Sequence, residues 1–359
     1  MGLERASACN MIKARYAVHH LNFIEPGGTS RGVLRTKETW YLILEQDGKK
    51  GIGECGLLRG LSFDDRPDYE AKLQWLCAHI DQDPLWLDEQ LTTFPSIRMG
   101  LEMAMESINA EDPMLLRPSN FTDGKEGIPI NGLIWMGTAS QMKQRISEKL
   151  AAGFRCLKLK IGALDFEAEL ALIKAMRAEF SLNDLEIRVD ANGAFAPEDA
   201  LERLKRLSEF QLHSIEQPIK PGQWEEMAEL CEQTPLPIAL DEELIGLLDD
   251  QERMLDTIKP EYIILKPSFL GGLAVSDRWI QWARERQIGW WVTSALESNV
   301  GLNALAQYCA GLGVSMPQGL GTGQLFSNNV ESPLEIDQAG LWYRPQKAWN
   351  FQAIDVTFM

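Results

Sequence analysis

The chain has 359 residues, 45% of them apolar and 24% charged, and a formal net charge of −17. That length exceeds one ordinary domain and accommodates a barrel of roughly 200–250 residues beside a smaller unit. The acidic excess argues against a nucleic-acid or anionic-membrane partner, and no stretch approaches the roughly 20 apolar residues of a membrane span. Residues 1–17 hold no apolar run of signal-peptide length, and the six cysteines are scattered without a CxxC pair, so a reducing, cytoplasmic setting is expected.

Residues 1–125 read as an α+β unit. Alternating segments at 12–22 and 40–44 predict strands, and Asp47-Gly48 predicts a hairpin turn into a strand at 51–54. Residues 69–79 and 97–108 have helical spacing. The stretches 26–32 and 57–64 read as loops.

From about residue 126 short apolar segments alternate with amphipathic helical ones. Strands are expected at 128–135, 155–161, 186–190, 214–216, 238–241, 262–266, 289–293 and 314–316, with helices at 166–179, 197–209 and 276–286 among them. Repeats of strand and helix about 25–30 residues apart mark parallel βαβ units. Eight strands favour a closed α/β barrel over 126–326, although an open doubly wound sheet shares the pattern. The tail, 327–359, carries Trp342, Tyr343 and Trp349 and is expected to pack back on the first unit.

The chemistry lies in what ends the strands. Lys158 and Lys160 sit in LKLK, Asp190 ends EIRVD, Glu216 ends SIE, Asp241 ends IALD and Lys266 ends YIILK. In a barrel the carboxyl ends of the strands form the active-site face, so the period places these charges in one ring. Any single acid there is equally a helix cap or a solvated loop residue. Three from successive strands instead predict a hard divalent cation, Mg²⁺ or Mn²⁺. Lys158 and Lys160 are two apart and point to one face. A lysine beside another cation and a metal loses its proton more readily, as a general base at neutral pH must. Lys266 approaches from across the ring.

Other chemistries find no support. The four histidines lie in no HExxH or triad-like context. Residues 51–56 match GxGxxG but follow a hairpin turn and open no helix, against a dinucleotide site. The glycines of 319–323 read as a turn more than a ligand cradle.

The segments LKLKIG, VDANGAF, IEQP, ALDEEL, LKPSFLGG and TSALESNVG resemble the muconate-lactonizing subgroup of the enolase superfamily, and within it most of all the o-succinylbenzoate synthase family. GVLRTKE and GIGECGLLRGLS are similar to that family's capping loops. The resemblance implies a modified (β/α)₇β barrel with an α+β capping domain. It implies Asp190, Glu216 and Asp241 as Mg²⁺ ligands, Lys160 as base, Lys158 near the substrate carboxylate, and Lys266 as the cation that stabilises an enediolate. The implied reaction is a syn dehydration of a cyclohexadiene carboxylate in menaquinone biosynthesis. Ser294, Glu297, Ser298, Asn299 and Gly301 would line the substrate pocket, and capping loops with Arg31 and Gly60 would close it. The partner is a small carboxylate; oligomeric state is left open. The alternatives are an N-acylamino acid racemase or dipeptide epimerase, a muconate cycloisomerase, and a non-catalytic barrel. Dipeptide epimerases usually show Asp-x-Asp near the eighth strand, where this chain reads SMPQGLG (315–321).

Overall fold

The computed structural model describes residues 11–29 and 32–354. Arg31 lies outside the described residues. The chain opens with a three-stranded antiparallel sheet, β1 (Lys13–Thr29), β2 (Gly32–Gln46) and β3 (Lys49–Cys55), followed by α1 (Tyr69–His79), α2 (Pro84–Gln90) and α3 (Pro95–Asn109). Alternation along β2 feeds two cores. Trp40, Leu42 and Leu44 face the helices and pack with Leu73, Leu76 and Ile97. Tyr41 and Ile43 face the other way and pack with Val330, Phe351 and Ile354. The helices approach closely because Gly53 has no side chain: a Cβ there would meet the carbonyl oxygen of Gly100 at 1.9 Å.

The chain then passes through the short strand β4 (Ile128–Pro129) into the barrel: β5 (Gly132–Ile134), α4 (Ala139–Ala151), β6 (Cys156–Lys160), α5 (Phe166–Glu179), β7 (Glu186–Asp190), α6 (Pro197–Ser208), β8 (Ser214–Glu216), α7 (Trp224–Gln233), β9 (Ile238–Leu240), α8 (Gln251–Ile258), β10 (Tyr262–Leu265), α9 (Pro267–Leu270), α10 (Leu273–Glu285), β11 (Gly289–Val292) and α11 (Asn299–Leu312). Strands β5 to β11 are all parallel, in sequence order. Local sequence sets the helices. In α6, Pro197 occupies the first turn, Glu198 and Asp199 face the positive end, Lys205 and Arg206 the negative end, and Ala200, Leu204 and Leu207 are buried. In α4, Thr138 and Gln141 form a reciprocal capping box. Leu157, Leu159, Ile187 and Val189 point outward into the main core, so the alternate residues Lys158, Lys160, Arg188 and Asp190 point into the barrel.

Three expectations need correction. The strand expected at 128–135 is broken: Ile128 and Pro129 pair antiparallel with Leu341 and Gly340, and only β5 joins the barrel. No strand forms at 314–316. The barrel is closed instead by Gln318, bridged to Ile130, and Gly319, bridged to Thr293. The stretch 26–32 is not simply a loop. β1 runs to Thr29, and Gly27, Gly28 and Thr29 pair with Leu34, Val33 and Gly32 after a register shift. This ribbon leans on the barrel: the Ile24 N–H donates to the Leu325 carbonyl at 2.8 Å, and the Trp135 ring lies 3.2 Å from where a Gly27 Cβ would sit. The chain ends in the hairpin β12 (Leu334–Asp337) and β13 (Gly340–Tyr343), which pairs with β4.

Candidate active site

Parallel register builds the ring. Lys160 pairs with Asp190, and Asp190 with Glu216, across β6, β7 and β8. Asp241 and Lys266 follow β9 and β10 directly. Asp190, Glu216, Asp241, Lys158 and Lys160 are buried, and Lys266 is nearly so. The ammonium of Lys158 bridges Asp190 Oδ2, at 2.9 Å, and Glu216 Oε2. Lys160 donates to Asp190 Oδ2 and, at 3.0 Å, to Asn192 Oδ1. Lys266 donates to Asp241 Oδ2.

Electrostatics follow from that interleaving. Burial pushes the Glu216 carboxyl well up, and the neighbouring charge of Asp190 adds to it. Burial opposes ionisation of Asp190 and Asp241 too, but the lysines outweigh it and hold both below the usual carboxylate range. Burial disfavours the Lys158 and Lys266 ammonium groups. The surrounding carboxylates overcome that and raise both. For Lys158 the acids beside it, Asp190, Glu216 and Asp241, set the direction.

Glu216 lies within hydrogen-bonding reach of both Asp190 and Asp241. Its Oε1 is buried without a hydrogen-bond partner among the described residues. Among those residues no three His, Cys, Asp or Glu side chains form a ready-made metal cluster, since ammonium groups stand between the acids. The donor set, carboxylate oxygens without nitrogen or sulfur, and the orphaned Glu216 oxygen nevertheless fit a hard divalent cation.

A cavity of ≈740 Å³, counting its mouth, opens onto the ring. Lys158, Lys160, Asn192 and Lys266 contribute its charged and polar wall, with Asn131, Thr293, Ser294 and Thr322. Leu34, Leu58, Leu61, Leu133, Trp135 and Phe269 supply an apolar wall. Apolar sides around convergent cations suit a small organic anion. Leu34, Leu58 and Leu61 come from the antiparallel unit, so both parts of the chain build the pocket. Gly60 lies beside this lining, its N–H donating to Asp65 Oδ2 at 2.7 Å.

Of the residues expected after the seventh strand, Ser294 lines the cavity. Glu297, Ser298, Asn299 and Gly301 stand behind it. Glu297 accepts from the hydroxyls of Ser294 and, at 2.7 Å, Ser268. Ser298 and Gly301 donate to Glu54, and Asn299 Nδ2 donates to the Val330 carbonyl at 2.6 Å. Sequence reasoning missed Asn192 and Trp135. Asn192 was within sight: it lies two residues after Asp190, which ends β7, and it takes a left-handed backbone, φ 47°.

Residues 141–341 match the enolase C-terminal domain-like family. The chain is 49% identical over 358 aligned residues to the o-succinylbenzoate synthase of Desulfotalea psychrophila, covering 91% of this chain and 97% of that one. The crystal structure of MenC from Desulfotalea psychrophila superposes with a TM-score of 0.82 at 45% identity, covering 92% of this chain and 99% of that one. The dipeptide epimerase of Enterococcus faecalis, complexed with Mg and a dipeptide, shares the fold with a TM-score of 0.80 at 19% identity, covering 92% and 97%.

Proposed function

The chain belongs to the enolase superfamily and is akin to its o-succinylbenzoate synthases, and from that premise we propose that it catalyses the synthase reaction. In that reaction 2-succinyl-6-hydroxy-2,4-cyclohexadiene-1-carboxylate loses water to give o-succinylbenzoate, in menaquinone biosynthesis. The observation that carries the reading is the ring itself: lysines from β6 on one side and from the end of β10 on the other flank three buried acids at the floor of an anion-suited pocket.

Asp190, Glu216 and Asp241 would hold Mg²⁺, with Mn²⁺ as a substitute. When bound, the cation would stabilise the second negative charge that develops on a substrate carboxylate as its α-proton leaves. Lys160 removes that proton and then returns it to the departing hydroxide on the same face, so the elimination is syn. Lys158, whose ammonium form the acids favour, keeps a fixed positive charge near the carboxylate. Lys266 is likewise held protonated and neutralises the enediolate from the opposite side. The apolar wall from the antiparallel unit keeps water from the reacting carbon. Aromatisation of the ring drives the step.

Lysines on both sides of one carbon also fit two-way proton exchange, so racemisation of an N-acylamino acid is the second reading. An ultraviolet assay of the purified protein with the cyclohexadiene substrate and Mg²⁺, run beside N-succinyl amino acids, separates them. Absence of magnesium-dependent o-succinylbenzoate formation would sink the first. No helix among the described residues is long and apolar enough to cross a membrane, and five described cysteines are free, which supports a cytoplasmic setting.

A further inference from the structure

We propose that Asn192 and Glu242 act as a pair that positions the Nζ of Lys160 for proton transfer. The inference rests on the role given to Lys160 above.

Asn192 is fixed at three points. Its backbone is left-handed, which asparagine enters more readily than most residues, and its N–H donates to Asp190 Oδ1 at 2.9 Å. Its Nδ2 donates to Glu242 Oε1 at 2.9 Å. Its Oδ1 accepts from Lys160 Nζ at 3.0 Å. A carboxylate only accepts, so Glu242 decides which end of the amide faces it. The other end must then present an oxygen to Lys160. Glu242 is itself buried and directly follows Asp241, so the chain that places one acid of the ring also places the anchor for Asn192.

Lys160 needs such an anchor. Its other acceptor, Asp190 Oδ2, is also 2.9 Å from Lys158 Nζ. Asn192 Oδ1 is the acceptor that Lys160 does not share with Lys158. A lysine on four rotatable bonds reaches a near-attack geometry only when its end is held, and a loosely held base costs rate without costing binding. Asn192 also lines two cavities at once, the catalytic pocket and an opening bounded by Gly162, Lys220 and Glu242. Deleting its side chain would therefore join them and admit water. Glu242 is the cleaner lever, since a substitution there leaves the Asn192 side chain in place.

The test uses the full chain with Mg²⁺ and the cyclohexadiene substrate. Glu242→Met, which keeps volume but removes the acceptor, is expected to lower kcat about tenfold, and Asn192→Ala about a hundredfold. KM and the Mg²⁺ concentration for half-activation should stay within about threefold, and the deuterium isotope effect at the abstracted carbon should rise. Glu242→Gln keeps an acceptor and should restore kcat to within about threefold. Asn192→Ala combined with Glu242→Met should be no slower than Asn192→Ala alone. Unchanged kcat in Glu242→Met, a Gln variant as slow as the Met variant, or half-activation by Mg²⁺ shifting as far as kcat would each overturn the pair. The Glu242 variants decide the matter if Asn192→Ala does not fold. A wild-type protein inactive on this substrate but racemising N-succinyl amino acids would refute the synthase reading alone, and the same variants are then read on racemisation. Inactivity on both refutes the two together.

Discussion

Glu54, the penultimate residue of β3, accepts from both the backbone N–H of Ser298, at 2.8 Å, and its hydroxyl. It also accepts from Gly301 N–H at 2.8 Å and from Thr39 Oγ1 at 2.7 Å. The antiparallel unit thereby closes the N-terminus of α11 immediately behind the pocket wall. Lys37 Nζ lies 3.8 Å away, buried, with no hydrogen-bond partner among the described residues. Removing Glu54 strands that amine and four donors. Glu54→Ala should cost about 3–5 kcal/mol in urea unfolding, and adding Lys37→Met should recover part of the loss. A single variant within about 1 kcal/mol of wild type would show that the contact contributes little.

Each acid of the ring should matter to metal binding separately from catalysis. Asp190→Asn, Glu216→Gln and Asp241→Asn are each expected to weaken calorimetric Mg²⁺ binding by about tenfold or more. A chelator should abolish turnover, and excess Mg²⁺ should restore it. Turnover that survives exhaustive chelation contradicts the assignment of all three.

Lys160→Ala should lower kcat by about 10³-fold, within the range for loss of a positioned base, with an unchanged unfolding midpoint once the site's charge is allowed for. Lys266→Met should lower it comparably while leaving KM nearly fixed, because its charge acts on the anion that develops. Stopped-flow or steady-state ultraviolet rates check both. Near-wild-type turnover in Lys160→Ala ends its role as the base.

Asp64, bonded to Ser96 at the start of α3, gives a pH dependence of folding. Burial pushes its carboxyl up from 3.8 to about 6, against the hydrogen bonds it accepts from Ser96 N–H at 2.9 Å and Ser96 Oγ at 2.6 Å. An acid whose folded value lies above its unfolded one favours folding while protonated. That contribution is complete below pH 3.8 and fades as pH rises through about 6. The difference amounts to about 3 kcal/mol. Against Asp64→Asn, which does not titrate, wild-type stability should therefore fall by about that much between pH 4 and pH 7.5, as read by urea unfolding at each pH. Parallel profiles would contradict it.

The ring was legible because a charged residue at the end of an apolar strand breaks period in a way that nothing local explains. Asp190, Glu216, Asp241 and Lys266 all announce themselves so. The eighth strand was misread because Val314 and Met316 alternate correctly, whereas closure depends on space. A Cβ on Gly319 would meet Thr293 Oγ1 at 2.4 Å, so the bridging residue had to be a glycine, which by itself reads as a turn. The pairing of Gly27 with Leu34 was hidden for the same reason. The polar run 297–301 looked like a ligand wall; its side chains and N–H groups instead tie helix, sheet and tail together.

The face of the first sheet that carries Tyr41, Ile43 and Ile52 is covered by Val330, Phe351 and Ile354. On a ribosome those covering residues are made only after the whole barrel sequence that separates them from β2 and β3. At about 5–20 residues per second, the nascent sheet waits on the order of tens of seconds with an oily side uncovered. Synthesis thus leaves that face without its permanent cover until the whole barrel sequence has been made.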